Sequence, residues 1–211
     1  MGYAVKEIFY TLQGEGFQCG RPAVFCRFSG CNLWSGREID RPKAVCQFCD
    51  TDFIGVDGTM GGFFKTSELL VNSIASLWPK AFYAERFVVL TGGEPLLQVD
   101  QALINELHMN RFLVAVETNG TLKIPVGIDW VCVSPKAEAS LVATQGDELK
   151  LVYPQKNLRP EKFEGLEFSH FFLQPLADDD TAKNIDLTIN YCLKNPKWRL
   201  SMQTQKTLGI R

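Results

Sequence analysis

The feature that most constrains the fold is an alternation of short apolar runs with helical patterns along the chain. Runs rich in Val, Ile and Phe predict seven strands, at 23–28, 87–90, 113–116, 130–133, 148–152, 171–173 and 198–202. Helical patterns lie at 66–77, at 99–110, and at 178–195, where acidic residues occupy the first turn. Strands that alternate with helices predict parallel βα units and an α/β fold.

Polar or Gly/Pro clusters follow most of the predicted strands. They read Ser29-Gly30-Cys31, Thr91-Gly92-Gly93-Glu94-Pro95, Glu117-Thr118-Asn119-Gly120, Ser134-Pro135-Lys136 and Leu173-Gln174-Pro175. Turns alone explain Gly and Pro, whereas polar residues at the same end of successive strands are typical of βα barrels, whose sites lie at the C-terminal strand ends. We predict a partial TIM-like barrel in a single domain, 1–211, because a complete barrel takes about 250 residues.

The composition excludes several classes of protein. A net charge of −2 does not predict the basic surface of a nucleic-acid-binding protein. No apolar run approaches the about 20 residues of a membrane span, and the first residues lack the pattern of a signal peptide. We therefore predict a cytoplasmic protein without nucleic-acid or membrane partners, in which the cysteines stay reduced.

Three of the seven cysteines, Cys31, Cys46 and Cys49, are close in the chain and predict a metal site. A structural zinc ion would need a fourth ligand, and a 4Fe–4S cluster held by three thiolates would keep one iron open. Candidates for a fourth zinc ligand are His108, His170, Cys19 and Cys26. Cys26 and Cys132 lie in apolar runs and are predicted to be buried.

Two further features favour the cluster. Phe48 precedes the last cysteine and offers a flat apolar surface to a purine. Gly92 and Gly93 follow a predicted strand, where glycine lets the backbone approach a ligand closely.

With these motifs the chain resembles the radical S-adenosylmethionine (SAM) enzymes, and among them the 7-carboxy-7-deazaguanine synthases of the queuosine pathway. The resemblance covers essentially the whole chain. Beyond the cysteines and strand ends, it rests on Phe9-Tyr10-Thr11-Leu12-Gln13-Gly14-Glu15-Gly16, Cys49-Asp50-Thr51 and Met202-Gln203-Thr204-Gln205-Lys206. The superfamily usually spaces its cysteines Cys-x3-Cys-x2-Cys. Here an insertion at about 32–45 gives Cys-x14-Cys-x2-Cys, which resembles one branch of these synthases.

The resemblance implies a 4Fe–4S cluster on Cys31, Cys46 and Cys49, with SAM on the fourth iron. One electron, supplied by a flavodoxin or ferredoxin, would cleave SAM to methionine and a 5′-deoxyadenosyl radical. The SAM-binding residues it implies are Phe48, Cys49, Asp50, Gly93, Glu94, Ser134, Pro135, Lys136, Gln174 and Pro175. A homodimer is also implied.

The implied reaction is that of a carbon–nitrogen lyase, which converts 6-carboxy-5,6,7,8-tetrahydropterin to 7-carboxy-7-deazaguanine with release of ammonia. Substrate-binding residues would be Leu12, Gln13, Gly14, Glu15, Arg27, Thr91, Gln205 and Arg211, and Thr51 would bind Mg²⁺. From the residues alone, other roles stay open. Arg27 could form an internal salt bridge, the 13–15 segment could be a solvated turn, and Thr51 could be an N-cap.

One position departs from the family pattern. The family tail commonly reads Gln-Thr-His-Lys, and Gln205 stands where that His would be. Because Gln cannot carry a proton near neutral pH, we expect the residue at this position to act only through hydrogen bonds. Two other hypotheses are a radical SAM activase of a glycyl-radical enzyme and a non-catalytic zinc-binding protein.

Overall fold

The computed structural model describes residues 2–80 and 85–211. These residues form one nine-stranded sheet, with the order β3-β1-β2-β4-β5-β6-β7-β8-β9. The strands are β1 (Tyr3–Leu12), β2 (Pro22–Phe28), β3 (Gly62–Phe64), β4 (Arg86–Gly92), β5 (Phe112–Thr118), β6 (Trp130–Val133), β7 (Gln145–Tyr153), β8 (Glu167–Pro175) and β9 (Trp198–Leu200). The α-helices are α1 (Ser67–Ser76), α2 (Gln101–Met109), α3 (Thr181–Lys194) and α4 (Thr204–Leu208). Short 3₁₀ helices lie at Glu38–Lys43, Pro95–Leu97 and Pro160–Phe163.

The sheet is mostly parallel and is not closed. From β2 through β4 to β9, each strand pairs in parallel with the next. This confirms the predicted α/β fold and the seven predicted strands. β1 and β3, which the sequence analysis did not predict, pair antiparallel at one edge of the sheet. A short loop joins β1 to β2, and such a connection can only join antiparallel neighbours.

Alternating side chains divide the sheet into an apolar face and a polar face. Along β7, Leu149 and Leu151 pack in the core, while the intervening Glu148 and Lys150 point the other way, as the period of a strand requires. Buried side chains of α1 and α2 pack against one half of the sheet. The polar face is therefore the inner surface on which a site can form. Cys26 and Cys132 are buried, as predicted.

Side-chain caps set the starts of α1 and α2. Thr66 accepts a hydrogen bond from the backbone N of Leu69 at the start of α1, at 3.3 Å. The prediction for α3 was wrong at its N-terminus, because Asp178–180 precede the helix. Asp178 Oδ1 accepts from Asn184 Nδ2 at 2.8 Å, so this carboxylate closes the preceding loop. None of the helices in the described residues is long and apolar enough to cross a membrane.

Asp100→Ala tests a contact between the first strand and α2. Asp100 Oδ1 accepts from the backbone N of Leu103 at 3.0 Å and from the hydroxyl of the buried Tyr3 at 2.8 Å. We expect the free energy of unfolding to fall by about 2–4 kcal/mol, because the cap and the acceptor of Tyr3 are both lost. Thr66→Ala is the control and should cost about 1 kcal/mol, since it removes only a cap. Equal losses in urea denaturation would contradict the second role of Asp100.

Candidate active site

A cavity of about 470 Å³ opens at the C-terminal ends of the parallel strands. This is the location that the polar strand ends predict. Most predicted site residues line it: Leu12, Gln13, Gly14, Glu15, Arg27, Cys31, Cys46, Phe48, Cys49, Asp50, Thr51, Thr91, Gly93, Ser134, Lys136, Gln174, Pro175, Gln205 and Arg211. The fold thus brings together residues from both ends of the chain.

Two predicted site residues, Glu94 and Pro135, do not line the cavity. The carboxylate of Glu94 is fully buried and accepts hydrogen bonds from Thr118 Oγ1 and the backbone N of Asn119, both at 2.8 Å. Burial raises the pKa of this carboxyl, although these donors oppose the shift. The Pro135 carbonyl faces Gln155 Nε2 at 3.3 Å. Both residues therefore support the wall of the cavity.

Cys31, Cys46 and Cys49 form one end of the cavity. All three thiols are free, and burial raises the pKa of Cys31 and of Cys46. Gly93 lies directly behind them, and a Cβ there would overlap the Gly30 carbonyl and lie 2.8 Å from the Cβ of Cys31. The strand-end loop can approach the cysteine loop this closely only because residue 93 is glycine.

The donor set fits a cluster better than a single ion. Within 2–80 and 85–211, no group of three or more His, Cys, Asp or Glu side chains converges closely enough to hold one metal ion. The candidate fourth zinc ligands His108, His170, Cys19 and Cys26 do not line the cavity. A four-iron cluster spreads its thiolates over the corners of a cube and leaves one corner to another ligand, so three separated thiols suit it.

Lys136 brings a positive charge to the cysteine end. Its Nζ donates to the carbonyl and the hydroxyl oxygen of Ser134 at 2.7 and 2.9 Å and lies 5.9 Å from the ring centroid of Phe48. Burial lowers the pKa of Lys136, and the thiols of Cys46 and Cys49 oppose that shift. An aromatic ring, a hydroxyl and a cation thus lie beside the thiols, which suits a ligand with a flat base and an anionic group.

Carboxylates and amides form the other end of the cavity. Lys150 Nζ lies 2.7 Å from Glu15 Oε2 and 3.4 Å from Glu117 Oε1, and Gln13 Nε2 donates to Glu117 at 2.9 Å. Burial acts to raise the pKa of Glu15, but the charge and hydrogen bond of Lys150 outweigh it and lower the pKa to about 2. Glu15 is therefore an ionised hydrogen-bond acceptor at neutral pH.

Lys150 and Glu117 were not predicted as site residues. Lys150 is buried, and in the sequence of β7 it stands between Leu149 and Leu151. A lysine inside an apolar strand is a signal of the same kind as Arg27 in β2, because a buried charge needs a partner. Glu117 belonged to a noted strand-end motif, but nothing in its local sequence assigns it a role.

The C-terminal tail packs on the loop that follows β1. Gln203 Nε2 and Gln205 Nε2 donate to Glu15 Oε1 at 2.9 and 3.1 Å. The backbone N and the hydroxyl of Thr204 donate to the Gly14 carbonyl at 3.1 and 2.9 Å. A Cβ at Gly14 would overlap the side-chain amide of Gln205, so a larger residue there would displace that amide.

Arg27 lines the cavity and has a partner within the chain. Its Nε lies 2.9 Å from Glu7 Oε1, and Arg211 Nη2 lies 3.1 Å from Glu7 Oε2. The internal salt bridge that the sequence left open for Arg27 is therefore present. Because the contact uses Nε, the geometry leaves the two terminal nitrogens of Arg27 for a second acceptor.

Lys150→Met tests the buried charges. We expect it to lower the free energy of unfolding by about 3–5 kcal/mol at pH 7, because it leaves buried carboxylates without their cation. The loss should be larger at pH 8 than at pH 5. Without Lys150, burial raises the pKa of Glu15, and its ionisation then opposes folding as the pH rises. The exposed Lys156→Met is the control and should change stability by less than about 0.5 kcal/mol. A loss in urea denaturation that does not depend on pH would contradict this account.

Comparison with known proteins identifies the family. The chain is 60% identical over 211 residues to a 7-carboxy-7-deazaguanine synthase of Bradyrhizobium diazoefficiens and 60% identical over 210 residues to one of Burkholderia multivorans, with 100% of each chain covered. The crystal structure of QueE from Escherichia coli matches with a TM-score of 0.72 at 27% identity, over 96% of this chain and 94% of that one. No family model matches the chain. The full-length identity shows that this chain belongs to the 7-carboxy-7-deazaguanine synthases, a family of enzymes.

Proposed function

We propose that this chain is a radical SAM enzyme of queuosine biosynthesis that converts 6-carboxy-5,6,7,8-tetrahydropterin to 7-carboxy-7-deazaguanine and releases ammonia. The observation that carries the proposal is a single cavity with three free cysteines at one end and an ionised Glu15 at the other. Cofactor and substrate would then share one chamber. A chamber of about 470 Å³ with buried charges suits a small polar substrate rather than the loop of a protein partner.

Cys31, Cys46 and Cys49 would bind a 4Fe–4S cluster, and the neighbouring residues would bind SAM. When bound, this pair of cofactors supplies the one-electron cleavage that starts radical chemistry. The cation of Lys136 would attract the SAM carboxylate, and the ring of Phe48 would pack on the adenine. The other residues proposed to line the SAM site are Asp50, Gly93, Ser134, Gln174 and Pro175. Glu94 would not contact SAM; through its hydrogen bonds to Thr118 and Asn119 it would fix the loop that follows β4.

The opposite end would recognise the pterin. Its amide and amino N–H groups need acceptors, and Glu15 and Glu117 supply carboxylate oxygens. Arg27 would bind the substrate carboxylate through its terminal nitrogens while Nε stays on Glu7. Gln13 would pair with the ring edge. Because these groups now bond to one another, the substrate would bind by exchanging partners within the network.

The remaining parts of the proposal concern the second metal and the assembly. Thr51 lines the cavity next to the cysteine loop, and its hydroxyl together with substrate oxygens would bind Mg²⁺, which keeps few protein ligands. We propose one radical SAM domain, 1–211, with the insertion at about 32–45. We also propose a homodimer, a flavodoxin or ferredoxin as electron donor, and a cytoplasmic location, where the cysteines stay reduced.

Anaerobic reconstitution followed by an assay tests the function. Protein treated with iron and sulfide should become brown and hold about four irons per chain. With SAM, a reductant, Mg²⁺ and 6-carboxy-5,6,7,8-tetrahydropterin it should release ammonia and a deazapurine in equal amounts. Iron binding without either product would contradict the proposed reaction, and absence of iron binding would favour the non-catalytic hypothesis.

Substitution of Gln205 tests whether its role is only to donate a hydrogen bond. Gln205→Ala should raise the KM for the pterin by about 10- to 150-fold, the loss expected for one hydrogen bond to a charged group. Gln205→His should keep kcat within a few-fold, because a neutral imidazole also donates one hydrogen bond. A gain in kcat for Gln205→His that follows a pKa near 6.5 would instead indicate proton transfer at this position.

A further inference from the structure

The insertion between the first two cluster cysteines folds back onto the loop that carries the other two. It contains the 3₁₀ helix Glu38–Lys43. From this helix Arg41 Nη1 donates to the backbone carbonyl oxygens of Gln47 and Cys49, both at 3.0 Å. Gln47 Nε2 donates in return to the Pro42 carbonyl at 3.1 Å. The helix and the loop between Cys46 and Cys49 are thus joined in both directions.

The guanidinium of Arg41 is itself fixed on two further sides. Its Nε and Nη2 donate to the two carboxylate oxygens of Glu38 at 2.7 and 2.6 Å. Its plane lies over the ring of the buried Trp34, 4.0 Å from the centroid. Trp34 Nε1 donates to the Arg37 carbonyl at 3.2 Å and packs edge-on against Phe53. Arg41 therefore has little freedom to leave the two carbonyls.

These contacts are made to the loop that carries two of the three thiols. The carbonyls of Gln47 and Cys49 lie on either side of Phe48, so fixing them fixes the turn from Cys46 to Cys49. Arg41 also carries a charge that does not titrate in proteins. Its partner Glu38 has a side chain that is 75% exposed, so water screens much of the compensating negative charge.

An ordinary surface ion pair does not account for this arrangement. An exposed pair three residues apart is worth only a few tenths of a kcal/mol. The Arg41 side chain is only 25% exposed, and its Nη1 donates hydrogen bonds to two carbonyl oxygens of the cysteine loop. The contacts that distinguish Arg41 are those to the cysteine loop.

We propose that Arg41 is a positioning residue for the cluster. It holds the Cys46–Cys49 turn in the ligating geometry, and its charge beside two of the thiolates makes the cluster easier to reduce, since nearby charge and hydrogen bonding set cluster potentials. The proposal rests on the proposed function. It also gives the long gap after Cys31 a role, because the inserted residues bring their own contact to the loop.

Three variants separate geometry from charge. Arg41→Gln removes both, Arg41→Lys keeps the charge but loses the planar fork, and Arg37→Gln is the matched control, because Arg37 is exposed on the same insertion and contacts Trp34 only through its backbone. In reconstituted Arg41→Gln, a chelator should remove iron at least about tenfold faster than in the parent, because two charge-assisted hydrogen bonds to the cysteine loop are lost. Its midpoint potential should be more negative.

Arg41→Lys should lose iron faster but keep a midpoint potential near that of the parent, and Arg37→Gln should match the parent in both measurements. Equal iron loss and equal potentials in Arg41→Gln and Arg37→Gln would overturn the proposal. A parallel fall in the melting temperature would attribute the effect to general unfolding and would also count against it.

Alkylation of the iron-free protein tests the same contact without the cofactor. In Arg41→Lys, which keeps the positive charge beside the thiols, Cys46 and Cys49 should react with iodoacetamide several-fold faster than in Arg37→Gln, because the loop that carries them is no longer held by the planar fork. The exposed Cys19 should react equally in both. Unchanged rates at Cys46 and Cys49 would overturn the positioning role. If the parent protein takes up no iron, the proposed function fails, and the alkylation rates still decide whether Arg41 fixes the loop.

Discussion

The buried ammonium of Lys150 is the interaction on which the rest of the cavity depends. An unpaired charge in a protein interior costs several kcal/mol, and here three carboxylates, Glu15, Glu117 and Glu148, surround one cation. Lys150 binds Glu15 directly and keeps it ionised. Glu15 in turn accepts the amides of the C-terminal tail. Order in two loops far apart in the chain therefore depends on one strand residue that points inward.

The two ends of the cavity differ in chemistry because different parts of the βα unit build them. The loops that follow β2 and β4 supply cysteines and glycines, which bring soft ligands and close backbone approaches. The bodies of the strands supply side chains such as Lys150, fixed by the regular alternation of the sheet. Groups on rigid strands can hold a fixed hydrogen-bonding pattern, while the loops can accommodate a bulky cofactor. Because the cysteine end and the Glu15 end belong to one cavity, the proposed radical would form next to a substrate whose orientation is fixed.

Much of this fold could be predicted from the sequence, and the failures have physical causes. Continuous apolar runs revealed the strands that are buried on both faces. β1 was missed because the charged, partly accessible Lys6 and Glu7 interrupt its apolar pattern, and β3, the edge strand, because three residues give no period. The start of α3 was misplaced because Asp178 hydrogen-bonds within its own loop, and acidic residues serve such a turn as well as they serve a helix.

The residues of the candidate site likewise fall into those that the sequence could predict and those that it could not. Residues in strand-end motifs could be proposed from the sequence, because their neighbours in the motif indicate their chemistry, and Gly93 and Lys136 line the cavity. The orientation of Glu94 was not visible. Whether its carboxylate points to a ligand or to Thr118 and the backbone of Asn119 depends on two loops that meet only in the folded chain. Glu117 was missed for the same reason, because its partner Lys150 is 33 residues away.

The rim of the cavity shows how little exposed charge contributes to its order. Lys206 lies 2.6 Å from Asp50, yet both side chains are about half exposed, so this pair adds little to stability. The tail is held instead by Thr204 on the Gly14 carbonyl and by amides on a buried, ionised Glu15. Since that ionisation depends on Lys150, a neutral Glu15 would weaken the tail even though every exposed ion pair stayed in place. The packing of the C-terminal tail over the cavity thus depends on the ionisation of Glu15.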